Sequence, residues 1–178
     1  MLRYLKIALV SLGLLLAPAA AMAFKPAPVT KPVVYTDAGK TIEVTLTPTG
    51  GYGPAKVTVV DAGKKAIAWA AEINLPARAL VSAMHKRVVL LGGRGDSGMS
   101  LGAVTVFDFE GKTLLKLDLR KHVPDLEEMS KAYRKVCCPS PWIHAASFAK
   151  DDTELHINVC DKKTVVIDLK ALKFAGVR

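Results

Sequence analysis

The stretch Gly92-Gly93-Arg94-Gly95-Asp96-Ser97-Gly98-Met99-Ser100-Leu101-Gly102 comes nearest to recognised chemistry. Gly93, Gly95 and Gly98 spell GxGxxG. That turn cradles a pyrophosphate only where a helix follows, because the helix N-terminus meets the phosphate. Here Ala103 to Phe109 follow and alternate as a strand, so no nucleotide cofactor, and no cofactor of any other kind, is expected. Gly98-Met99-Ser100-Leu101-Gly102 spells GxSxG, but a nucleophile elbow also needs a helix next, with an acid and a histidine further along. Asp96-Ser97-Gly98 echoes a serine-protease loop with His85 as its notional base. The two are too close in a chain too short for the pair of barrels that assembles such a triad. A small hydrolase using Ser97 or Ser100 is therefore the third of three readings, and no catalytic residue is assigned. Arg94-Gly95-Asp96 could be an adhesion tripeptide, though it is three common loop residues. The plainer reading is a glycine-rich hairpin connection whose glycines permit positive φ. It is long for that role, and long loops on rigid sheets carry binding. Arg94, Asp96 and Ser97 are accordingly the first ligand-binding candidates, with Trp142, beside Pro141, as a further contact.

Cys137, Cys138, His144, His156 and Cys160 form the second constellation. Thiolate and imidazole suit zinc or copper. The spacing lacks CxxC, however, and adjacent cysteines seldom chelate one ion together, so no metal is expected. In an oxidising compartment the default is a disulfide from Cys160 to Cys137 or Cys138, leaving one thiol over. A vicinal Cys137–Cys138 bridge is the strained alternative.

Asp61, Asp108 and Asp168 recur at strand ends. Aligned carboxylates invite an acid–base reading, but regular recurrence points to Asx hydrogen bonds that close one turn per repeat. Trp69 and Trp142 sit among small apolar residues, where core packing is expected, each indole N–H finding a carbonyl.

The elements that must position these residues are mostly strands. Alternating or β-branched runs cover Val33 to Tyr35, Thr41 to Leu46, Lys56 to Val60, Ala66 to Ile73, Ala79 to Met84, Val88 to Leu91, Ala103 to Phe109 and Leu114 to Leu119. Trp142 to Phe148, Glu154 to Val159 and Thr164 to Leu169 continue the series. One helix interrupts it. Asp125 and Glu128 have capping-box spacing, Leu126, Met129, Tyr133 and Val136 share a face, and Glu127 and Arg134 suit the helix dipole. That face is expected to pack on the sheet.

Val57-Thr58-Val59-Val60-Asp61, Val104-Thr105-Val106-Phe107-Asp108 and Thr164-Val165-Val166-Ile167-Asp168 match one another. Their aspartates stand 47 and then 60 residues apart, the longer interval holding the helix. A period of this length with four strands per unit is the signature of propeller blades. The expected fold is all-β and antiparallel, with three four-stranded propeller-blade-like units at about 33–73, 79–120 and 142–178 and a helical insert at 121–141. The last unit has little chain left for an outer strand. "VTVFDFEGKTLLKLDLR", Val104 to Arg120, and the insert leading to Ser140-Pro141-Trp142 resemble blades of exported bacterial β-propeller-like repeat proteins of the WD40/YVTN-like kind. The resemblance implies a fold and no reaction. It departs from that pattern in blade number, since closed propellers use four to eight. An edge-covered monomer or a ring-completing homodimer is expected.

At the start of the chain, Arg3 and Lys6 precede the apolar run Ile7 to Ala17, Pro18 breaks it, and Ala21-Met22-Ala23 offers a cleavage site. Residues 1–23 read as a secretory signal, with an uncleaved anchor as the alternative. Pro26, Pro28 and Pro32 make 24–32 an extended arm, and 33–178 a single β domain with no membrane span. The net charge of +9, or +7 without Arg3 and Lys6, suits a protein partner or an anionic envelope component, or serves solubility alone. Scattered lysines argue against nucleic acid. The first expectation is a non-enzymatic, periplasmic or secreted binding or scaffolding domain. The second is a metal- or thiol-linked envelope protein using the Cys/His set.

Overall fold

A computed structural model describes residues 31–49, 54–61, 66–74, 76–93, 102–134, 142–149 and 151–178. The described strands form three four-stranded antiparallel sheets, each a simple meander. The first blade holds β1 (Val33–Thr36), β2 (Ile42–Pro48), β3 (Pro54–Asp61) and β4 (Ile67–Asn74). The second holds β5 (Pro76–Ser82), β6 (Arg87–Gly93), β7 (Val104–Asp108) and β8 (Thr113–Leu117). After a 3-10 turn (Leu119–Lys121) and α1 (Leu126–Arg134), the third holds β9 (Ile143–Phe148), β10 (Glu154–Val159), β11 (Lys163–Asp168) and β12 (Lys173–Val177).

The blades stack face to face, with the second in the middle. Ile42, Val44, Leu46, Val57 and Val59 of the first blade share one apolar cluster with Val88, Leu90 and Phe107 of the second. Val89, Leu91, Val104 and Val106 of the second share another with Leu155, Ile157, Val159, Val165 and Ile167 of the third. This explains why β6 is a continuous apolar run while β2 and β10 alternate. Successive strand side chains point to opposite faces, so a strand covered on both sides must be apolar throughout. Each fully buried Leu or Ile contributes roughly 1.5–3 kcal/mol.

The repeated motif is the third strand of every blade, ending at Asp61, Asp108 and Asp168. Asp108 Oδ1 accepts from the amides of Glu110 (3.0 Å) and Lys112 (2.8 Å). Asp168 Oδ1 accepts from those of Lys170 (2.8 Å) and Ala171 (2.7 Å). These are turn-closing Asx bonds, as the recurrence implied. A second set of equivalent turns joins the first two strands of each blade. Lys40, Lys86 and Asp152 each donate an amide to the carbonyl three residues back and each take positive φ, 54°, 50° and 54°.

Three expectations are corrected. The third blade does have its outer strand, β12, reached through Leu172 at φ 53° in place of the glycine of the second copy. Asp125, expected to close a capping box, instead has its carboxylate accepting from Lys163 Nζ at 2.6 and 2.8 Å, and no bond from it to a first-turn amide is found among the described residues. Leu119, read as strand, begins the 3-10 turn, which Asp118 caps by accepting from the Arg120 amide. Leu126 and Met129 of α1 do pack into the cluster between the second and third blades.

Candidate functional site

A meander puts its first and third turns at one end of a blade and its second turn at the other. The ends of neighbouring blades coincide here. Ser82, closing β5, donates to Asp152 in the β9–β10 turn (3.1 Å). At the opposite end, Trp142 before β9 lies against Gly92 near the end of β6. The stack therefore has a turn end and a loop end. From the loop end the chain leaves the second blade at Gly93 and re-enters at Gly102. The same end carries the Leu119–Arg134 insert and the tight Cys160-Asp161 turn.

Arg94, Asp96, Ser97 and Ser100 lie outside the described residues, as do Cys137 and Cys138. The anchors of the loop are defined. Gly92 N donates to Ala103 O (2.7 Å), and Thr105 Oγ1, in a fully buried residue, donates to Gly102 O (3.2 Å). His85 sits in the β5–β6 turn, at the turn end. The seven-residue β6, roughly 23 Å long, separates it from the start of the loop. That distance separates His85 from Gly93, the last described residue before Ser97 and Ser100.

Trp142 is 1% exposed. It is a core residue, as core packing implied, and not the partly exposed contact also considered; among the described residues no carbonyl or other partner is found for its indole N–H or for that of Trp69, contrary to expectation. Both indoles instead wedge between blades at a glycine. A Cβ on Gly92 would stand 2.9 Å from Trp142 Cζ2, and one on Gly111 would stand 2.5 Å from Trp69 Cγ. Trp69 also meets Phe107, ring centroids 4.7 Å apart.

The Cys/His set is divided. His144 lies near the loop end, its Nε2 3.9 Å from Asp161 Oδ1. His156 pairs in register with Ser147, three residues along β9, and contacts Glu154 Oε2 at 2.7 Å. That spacing is roughly 10 Å. Among the described residues no three His, Cys, Asp or Glu side chains are grouped to hold a metal. Cys160 is buried, its amide donating to Trp142 O at 2.8 Å. Burial pushes its thiol above the ordinary range, with Lys162 opposing, so it is no activated nucleophile.

Sequence reasoning missed the inter-blade bond from Ser82 to Asp152, residues 70 apart with no local signal. It also missed Asp37, which is legible as Asp-x-Gly at a strand end. Burial works to raise the Asp37 pKa. Hydrogen bonds from the Ile42 amide, the Thr41 hydroxyl and amide and the Gly39 amide outweigh it and hold the carboxyl below its usual range.

Together these features define a stack of three propeller blades with the Gly93 and Gly102 strand ends, the Leu119–Arg134 insert and the β10–β11 turn at one end. The solved Dos1 propeller agrees on the fold. The chain is similar to the Dos1 propeller at a TM-score of 0.54 and 15% identity, covering 81% of this chain and 32% of that one. BamB from Moraxella catarrhalis aligns with a TM-score of 0.49 and 17% identity, over 82% of this chain and 35% of that one. The chain thus spans about a third of either structure. No protein-family model and no curated protein matches it. The fold is an incomplete β-propeller. No helix among the described residues is long and apolar enough to cross a membrane.

Proposed function

We propose that this chain is an exported, non-enzymatic binding or scaffolding domain of the bacterial envelope, working in the periplasm or outside the cell. The supporting observation is the common placement of the β6–β7 connection, the Leu119–Arg134 insert and the β10–β11 turn at one end of a rigid stack. A central blade buried on both faces gives those segments a fixed base, the arrangement by which propellers and other β scaffolds present binding loops. The partner is a protein, met through Arg94, Asp96 and Ser97. Trp142 supports that end from within and does not touch the partner.

The test is affinity capture from periplasmic extract with two kinds of bait. A partner should be retained by the wild-type chain and by a Lys40→Ala/Lys86→Ala bait, altered at the turn end. It should be lost from an Arg94→Ala/Asp96→Ala/Ser97→Ala bait. Loss on the turn-end bait alone, or no specific partner in any arm, would refute the reading.

A further inference from the structure

The outer faces of the first and third blades differ in kind from the two faces that the stack buries. Both inner interfaces are built mainly of aliphatic and aromatic side chains, with Thr105 a buried polar exception. On the outer side of the first blade, Thr45 pairs in register with Thr58 and Val34, and Thr58 with Ala68. Glu43 and Lys56, both exposed, flank that row. On the outer side of the third blade, His156 pairs with Ser147 and Val166, and Asn158 with Ala145 and Thr164. Glu154 contacts His156 Nε2 at 2.7 Å there, and Arg178 at 3.9 Å.

Adding a blade to either face would bury these groups without apolar replacement. Withdrawing an ion from water is unfavourable unless its partners are fully matched. A buried hydroxyl or amide left unpaired bears its full desolvation penalty. The aliphatic residues present are scattered, Val34, Val60 and Ala68 on the first blade and Ala145 on the third, where Val166 is already 1% exposed, and they cannot offset this. Stacked repeat proteins end in the same way, with a terminal unit whose outer face is polar.

We propose that both outer faces are stop faces, so that two copies of this chain do not complete a six-bladed ring and neither face accepts a further blade. This stands independently of the binding role above. It also selects the monomer from the two states the blade number allowed.

Sedimentation equilibrium on the protein as recovered from expressing cells tests it, from low micromolar to several hundred micromolar. A monomer mass throughout is expected. Two substitutions, Thr45→Arg on one face and Asn158→Arg on the other, assign any association that appears. A dimer indifferent to both uses another surface and supports the stop faces. A dimer weakened about tenfold or more by each, some 1.4 kcal/mol, is ring closure through these faces and overturns the proposal.

Discussion

Trp142 and Gly92 occupy one another's space: a methyl group on Gly92 would stand 2.9 Å from the indole Cζ2, and the glycine itself has φ 25°. The indole of the third blade reaches the second only because that position has no side chain. Gly92→Ala should therefore destabilise the fold by about 1–3 kcal/mol through overpacking. Gly111→Ala should cost more, since φ is 88° and the clash with Trp69 is closer, at 2.5 Å. Trp142→Ala should cost about 3–5 kcal/mol. Urea denaturation of the three variants checks the order, and a Gly111→Ala protein as stable as the wild type would contradict it.

The bond from Ser82 to Asp152 crosses the second and third blades from a hydroxyl that is 0% exposed. A double-mutant cycle of Ser82→Ala and Asp152→Ala should give a coupling of about 1–2 kcal/mol. Asp152→Asn keeps an acceptor and suits the positive φ, so it should lose little. Additive single losses would mean that the two blade ends are not joined there.

Asp37 gives the acid limb of stability a definite origin. Its folded pKa is depressed, so its contribution is present above the unfolded value and is lost as pH falls through the lowered folded value. Denaturation midpoints should decline below the ordinary carboxylate range, and Asp37→Asn should flatten part of that decline. An unchanged slope in the variant would assign the acid sensitivity elsewhere.

Intact mass of the exported protein reads two expectations at once. Cleavage should leave Phe24 as the first residue. A disulfide from Cys160 to Cys137 or Cys138 should remove two hydrogens and leave one thiol open to alkylation after denaturation. Three alkylated cysteines without reduction would refute the bridge, and a retained residue 1 would refute the signal.

The blades were legible because their period, strand alternation and recurrent aspartates are local. Asp108 and Asp168 close their turns using amides no more than four residues away. β12 was not legible, since Leu172 takes the positive φ that glycine usually marks. Asp125 was misread for a related reason. Its cap spacing is local, whereas the partner its carboxylate takes, Lys163, lies 38 residues on. The candidate site was legible only as a list of residues. That the Gly92–Gly102 connection and His85 stand at opposite ends of β6 follows from strand direction, which a motif does not encode.

By itself the sequence determined the strand content, the threefold repeat and the turn chemistry, because each depends on contacts within a few residues. Only the tertiary structure decided which blade lies in the middle, where Trp69 and Trp142 wedge, and which end gathers the irregular segments. Those depend on which face of one sheet meets which face of another. Alternation shows that a strand has two unlike faces, and packing alone selects the neighbour each receives.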